Sequence, residues 1–470
     1  MDEKTIIFID RSVCLRLTNW PLSLLGSLTF LLLFTACGNH HYYYEIEKEL
    51  GTNGRVTSQH HLAAYYPSGI SLNFPGYVIG LEDGRPEKVS YDGDIVIVNP
   101  PGAGRTVELI SDTILTHFVP FISHIHRYEG KQYGEGNCAL YSLYQNTRQS
   151  IMPFCDASND AATKAVENPR GAYRNSWKAI NIIREELVKE VKSGEYSHLI
   201  VSMMGLDTSQ EESIRNFKSI AWSIRETAHE EFEPLFIGIT WPSFFDSRWL
   251  DPVWEIFAYA AKADEADRLG LSWLGVLMHE VILPISNQIH TALITHSFGS
   301  RALSMATCVG PAIKNGNKLQ RRATGQIEDL IGFGAAFSLE RFSNRQIPFY
   351  EDVNYPDACK NIKTFALTAS NHDIAVKFAI WADLAGNYRD FKAHCASEHS
   401  YSVYCAAADQ HGNVKLPPDV DPKLLYIDTT ELMRYAIPGT QGGSHSDMFR
   451  PGVGRMIWTI INQHNPMQAH

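Results

Sequence analysis

Leu293, Ile294, Thr295, His296, Ser297, Phe298, Gly299, Ser300, Arg301, Ala302 and Leu303 form the stretch on which the reading of the fold turns. An apolar run ends at His296 and a helix-forming run begins just after it. A buried strand is therefore expected to pass into a helix through Ser297. A turn that tight requires small residues two before and two after the serine, and it lifts the hydroxyl clear of the sheet. Gly299 meets the requirement. Thr295 stands where glycine is usual, a modest steric compromise. The run predicts a nucleophilic Ser297; the competing reading is an ordinary strand-to-helix turn that contains a serine.

Further apolar runs lie on either side: Leu199 to Met204, Leu235 to Trp241, Leu330 to Phe333, Ile362 to Leu367 and Leu424 to Ile427. Helical periodicity separates most of them, starting with Trp177, Ile180, Ile183, Leu187 and Val191. Short apolar strands alternating with helices predict an α/β core, a mostly parallel sheet with helices on both faces, over residues 171–470. The helical stretch from Pro252 to Asn287, with Lys262, Asp264, Glu265 and Asp267, reads as an extended connection or cap. Residues 37–170 are rich in Tyr, Gly, Pro and His and show one clear strand, Ile95 to Val98. They form an N-terminal extension with no assigned role.

Open α/β sheets gather their chemistry at the carboxyl ends of the strands. A nucleophile on such a turn takes its partners in the chain order serine, acid, histidine. Asp373 follows the strand ending at Leu367, and His445 lies in the loop Gly442, Gly443, Ser444, His445, Ser446, Asp447 after the last strand. His445 would accept the Ser297 proton while Asp373 fixes its tautomer. Asp373 could instead cap a helix from Ile374 to Trp381, with Asp352 and Asp357 as other acids and His372 as the other base. Two backbone N–H groups should serve an oxyanion: that of Phe298, and that of Leu206, turned inward by Gly205. Thr208 and Glu211 have the spacing of a capping box. Trp241, Phe244 and Phe245 line an acyl pocket or pack the core.

The chain has 470 residues and a net charge of −11, which disfavours nucleic acid as a partner. Residues 1–36 read as a signal segment, with Lys4, Arg11 and Arg16 ahead of an apolar run from Trp20 to Ala36. Tyr42, Tyr43 and Tyr44 would then tether the chain near a membrane surface. Export leaves six cysteines once Cys14 and Cys37 are set aside, and the short separations favour Cys138 with Cys155 and Cys395 with Cys405. Cys308 reads as a buried thiol. His124 and His126 share a strand face without an evident third ligand, so no metal and no cofactor is expected.

Leu33, Phe34, Thr35, Ala36, Cys37 resembles a bacterial lipoprotein signal. That implies a lipid on Cys37 and an exported, membrane-attached protein on the periplasmic or cell-surface side; a plain anchor or secretory signal is the alternative. From about residue 198 to 463 the chain resembles the α/β-hydrolase superfamily, in particular a bacterial branch of largely unassigned function. The resemblance rests on Gly205, Leu206, Asp207, Thr208, Ser209; on Trp241, Pro242, Ser243; on His296, Ser297, Phe298, Gly299; and on Ser444, His445, Ser446, Asp447. Met204 departs from the branch's usual histidine and Asp207 from its asparagine. The resemblance implies a serine hydrolase acting on an ester, thioester or amide of a small-molecule or lipid substrate. A hydrolase-like binding lipoprotein and an acyltransferase with the same triad are the alternatives.

Overall fold

The computed structural model describes residues 71–84, 95–97, 102–114, 119–131, 134–142, 152–155, 172–206, 208, 210–241, 243, 262–315, 325–343, 353–377, 383–416, 422–435 and 443–463. The signal segment, Cys37, the Tyr42 to Tyr44 run, Asp207, Ser209, Pro242, Phe244, Phe245, Asp352 and Gly442 lie outside them.

In chain order the elements are β1 (Pro75–Gly84), β2 (Ile95–Ile97), α1 (Arg105–Thr113), β3 (Val119–Glu129), β4 (Cys138–Ser142), α2 (Ala172–Ser193) and β5 (His198–Met203). Then come α3 (Gln210–Ala228), β6 (Pro234–Thr240), α4 (Lys262–Ser286), β7 (His290–His296), α5 (Phe298–Cys308) and β8 (Ile313–Asn315). Last are β9 (Ile327–Phe333), β10 (Ile362–Ala369), α6 (Tyr388–Cys395), β11 (Val403–Ala407), β12 (Leu424–Asp428) and α7 (Pro451–Asn462).

Ten strands make one sheet in the order β11-β12-β10-β9-β7-β5-β6-β1-β3-β4, while β2 pairs with β8. Neighbours from β11 across to β1 are parallel; β3 is antiparallel to both β1 and β4. The expected α/β architecture is present, as a mostly parallel mixed sheet. Every residue of β5 and β6 is buried, as a strand covered on both faces requires.

Alternate residues feed two cores. Leu199, Val201, Met203 and Leu293 pack with Ile180, Ile183 and Leu187 of α2 and with much of α4 and α5. Ile200, Ala292 and Ile294 pack on the opposite face, against Ile214, Phe217, Ile220 and Ile224 of α3 and Val453, Met456, Ile457 and Ile460 of α7. Those spacings put each helix's apolar residues on one stripe. A Cβ on Gly454 would stand 2.1 Å from the Ser223 carbonyl oxygen, so α7 lies directly on α3.

Three features differ from the sequence reading. First, β1, β3 and β4 belong to the stretch 37–170, yet they continue the sheet, and Val78, Tyr128 and Ala139 share a core with Ile200. The expected boundary near residue 170 marks no break in either. Second, α4 is a core helix and not a cap: its most apolar 18-residue window is 89% buried, and the Trp273 indole donates to the Pro120 carbonyl at 2.7 Å. Third, Cys308 is no free thiol. It is bonded to Cys359, alongside the anticipated pairs Cys138–Cys155 and Cys395–Cys405.

Burial holds His126, His198 and His296 at pKa values of about 3, from an ordinary value of 6.5, with neighbouring His290 adding to the effect at His198 and His445 at His296. Below pH 6.5 the unfolded chain takes up protons at these positions that the folded chain refuses, so stability falls as the pH drops from 6.5 towards 3. Each such group removes up to about 1.4 kcal/mol per pH unit in that window. His198→Phe, within the ring cluster of Phe232, His290 and Trp458, is expected to flatten the dependence between pH 6.5 and 5. Urea unfolding at several pH values reads it; an unchanged slope would count against a neutral His198.

Candidate functional site

The parallel register lines up Met203, Thr295 and Gly332, and then His296 with Phe333 and Phe333 with Thr368, so the strand ends share one edge. Ser297 follows β7 directly and caps α5 with φ 51° and ψ −121°, a conformation that non-glycine residues rarely adopt. Three backbone hydrogen bonds fix it. The Ser297 N–H donates to the Phe333 carbonyl at 2.9 Å, and the Ser297 carbonyl accepts from the N–H groups of Ser300 at 3.0 Å and Ala336 at 3.2 Å.

Close approach explains the small residues around the turn. A Cβ on Gly299 would lie 2.2 Å from the Met203 carbonyl oxygen, and one on Gly205 would lie 2.5 Å from the Ser297 Cβ. The compromise at Thr295 is accommodated, since its hydroxyl bonds Ser300 Oγ at 2.8 Å and the Ile331 carbonyl at 3.2 Å. Behind the elbow, buried Asp267 accepts from Arg301 at 2.6 Å and Arg341 at 3.1 Å. Arg301 also donates to the Ala336 carbonyl at 3.3 Å, which ties the ion pair to the turn.

Asp373 and His445 meet as the sequence predicts, His445 Nδ1 donating to Asp373 Oδ2 at 2.7 Å. With Nδ1 so engaged, Nε2 is left as the ring's acceptor. Asp373 Oδ1 also accepts from the Val376 N–H at 3.4 Å, opening a short helical turn, Ala375–Lys377. The cap and the bond to His445 thus coexist in one carboxylate. A bridge from Asp373 to Gly443 and a hydrogen bond from the Ser444 N–H to the His372 carbonyl at 3.1 Å join the two loops. Asp447 accepts from the N–H groups of Arg434 and Tyr435, each at 2.9 Å, and from Arg450 at 2.7 Å. His372 is exposed, and Asp357 sits before the start of β10, at the sheet edge away from Ser297.

Among the described residues no hydrogen bond joins Ser297 Oγ to His445. His296, one residue before Ser297, contacts His445 instead. Its Nε2–H donates to the His445 carbonyl at 3.0 Å, and the two rings lie 4.5 Å apart.

The loop after β5 is pinned by the end of β6. The Trp241 indole donates to the Met204 carbonyl at 2.9 Å, and Ser243 Oγ accepts from the Thr208 N–H at 3.2 Å and donates to its carbonyl at 2.8 Å. Phe298 opens α5, and Leu206 follows Gly205 beside Ser297. The Thr208 hydroxyl donates to the Leu206 carbonyl at 3.3 Å. A further site residue escaped sequence reasoning. Gly334 has φ 52°, and a Cβ there would come 2.8 Å from the His445 ring and 3.1 Å from Asp373 Oδ2. Its only signal was position, one residue past an apolar strand.

Glycine reaches φ 51°, ψ −121° freely, so Ser297→Gly is expected to stabilise the fold by about 1 kcal/mol or more. Denaturant unfolding measures it, and a destabilised variant would show that the serine is unstrained.

No family model matches the chain, and neither does any curated protein. Among solved structures, an uncharacterized protein from Pseudomonas aeruginosa is similar at 8% identity and a TM-score of 0.25. The match covers 61% of this chain, which spans about half (49%) of that one, and is too slight to argue from.

Proposed function

We propose that the protein is a serine hydrolase of the α/β-hydrolase fold, cleaving an ester, thioester or amide through an acyl-enzyme at Ser297. One observation carries this reading: a serine in a strained turn between β7 and α5, with the hydrogen-bonded pair Asp373 and His445 held beside it.

In the first half-reaction Ser297 Oγ attacks the substrate carbonyl carbon while His445 Nε2 takes the hydroxyl proton. The tetrahedral intermediate's oxygen receives backbone N–H donors from Phe298 and from Leu206, the approach of the latter loop being set by Gly205. The same proton then passes from His445 to the leaving group as the carbonyl–heteroatom bond breaks. In the second half, water attacks the acyl-enzyme with His445 again as base, releasing the acid and restoring Ser297. Asp373 keeps Nδ1 protonated and stabilises the imidazolium. An acyltransferase would differ only in the acceptor that replaces water.

Three disulfides among the described residues suit an oxidising compartment, which supports export; attachment through a lipid on Cys37 rests on the resemblance of Leu33 to Cys37 to a lipoprotein signal. The substrate would then be a small acylated molecule or lipid reached from the membrane surface.

Hydrolysis of p-nitrophenyl esters of graded chain length, in membrane and soluble fractions, tests both parts. Wild type is expected to turn over esters in the membrane fraction, and Ser297→Ala to lose at least about a thousandfold. Cys37→Ser is expected to move the activity to the soluble fraction. Hydrolysis that persists in folded Ser297→Ala sinks the assignment, and Cys37→Ser protein that stays with membranes sinks the lipid anchor.

A further inference from the structure

His296 precedes the nucleophile, is almost wholly buried, and lies against both Gly205 and His445. Its Nε2 is 3.0 Å from the His445 carbonyl oxygen, a group that can only accept, so the proton must sit on Nε2. Its Nδ1 faces Gly205, 3.2 Å from where a Cβ on that residue would stand. One ring is thus wedged between the loop after β5 and the loop carrying the base, and its main chain leads directly into Ser297. Among the described residues the His445 loop is also held by the bridge from Gly443 to Asp373, the Ser444 N–H on the His372 carbonyl, the His445 side chain on Asp373, and the bonds of Asp447 to Arg434, Tyr435 and Arg450. None of these uses the His445 main chain itself, whereas the His296 bond does.

We propose that His296 is a positioning residue for the base: its Nε2–H clamps the His445 carbonyl, setting where the imidazole stands relative to Ser297 and Asp373. This rests on the reading of Ser297 as nucleophile. An apolar side chain could fill the same space but could not supply the bond. The ring must also stay uncharged, because His445 becomes a cation during turnover at a ring separation of 4.5 Å. Burial enforces that neutrality. Among the described residues, the ionisable groups on this side of the His296 ring are His445, from the loop before α7, and behind it Asp373, from the loop after β10, whose carboxylate accepts from His445 Nδ1.

The test compares His296→Gln, His296→Asn and His296→Leu in the full chain. A glutamine amide nitrogen falls about where imidazole Nε2 lies; an asparagine nitrogen falls about where Nδ1 lies and stops short of the carbonyl. Two readouts are used: the rate of labelling by a fluorophosphonate, and the downfield proton resonance of His445 Nδ1–H. Since an error of about 1 Å in placement can cost two orders of magnitude, His296→Gln is expected within about threefold of wild type and the Asn and Leu variants at least about tenfold slower. The downfield proton is expected to persist in wild type and Gln and to vanish in Asn and Leu. Equal labelling rates for Gln and Asn, or a downfield proton retained in every variant, overturns the clamp. If Leu does not fold, the Gln–Asn pair decides. A folded wild type that resists the probe refutes the nucleophile assignment instead, and the proton resonance alone then judges the clamp.

Discussion

The backbone at Ser297 is held against its own preference, at a φ/ψ that costs a residue with a side chain about 1–3 kcal/mol. Such a conformation persists only where its surroundings over-determine it. Here the ends of β5, β7 and β9 meet with almost nothing between them: Gly299 against the Met203 carbonyl, Gly205 against Ser297, and the Ser297 N–H on the Phe333 carbonyl. The close approach fixes Ser297 at the end of β7 and brings the backbone of three neighbouring strands within reach of one point. The rest of the site is built outward from this contact, with Gly334 giving the His445 and Asp373 side chains room to meet.

A second layer keeps the elbow from relaxing. Asp267 of α4 lies in the core between the guanidinium groups of Arg301 and Arg341, and Arg341 continues to the Tyr355 hydroxyl, which bonds Ser304 on α5. Stripping one partner from a buried ion pair typically costs about 3–5 kcal/mol, so this cluster resists rearrangement. It tethers α4 to the helix that follows Ser297. The disulfide from Cys308 to Cys359 secures the other end of that helix to the segment leading into β10, the strand that ends at the Asp373 loop.

How much of this was legible in the sequence depended on how each contact is encoded. The buried parallel strands were readable because burial on both faces makes an uninterrupted apolar run, as in Leu199 to Met203. Asp373 and His445 were readable because each follows such a run in the required order. β1 and β3 were not, for β1 carries Gly76 and Gly80, and β3 buries Ser123, His124 and His126, a composition that imitates a loop. A Cβ on Gly80 would fall 2.1 Å from the His124 ring, a reason for that glycine which only the paired strands reveal. Gly334 and the His296 bond escaped for a related cause: they are contacts between residues more than a hundred positions from at least one of their partners. α4 was misplaced because Lys262, Asp264, Glu265 and Asp267 look like a solvent face, whereas Lys262 pairs with Glu265 and Asp267 with two arginines inside the protein.

If Ser297 is the nucleophile we propose, it should be the one activated hydroxyl of the folded protein. Peptide mass mapping of the folded protein after treatment with a fluorophosphonate tests it most directly. A single adduct is expected on the peptide that contains Ser297, and none on that peptide in His445→Ala or in unfolded chain. An unmodified Ser297 in folded wild type, or an adduct on a different residue, would contradict it.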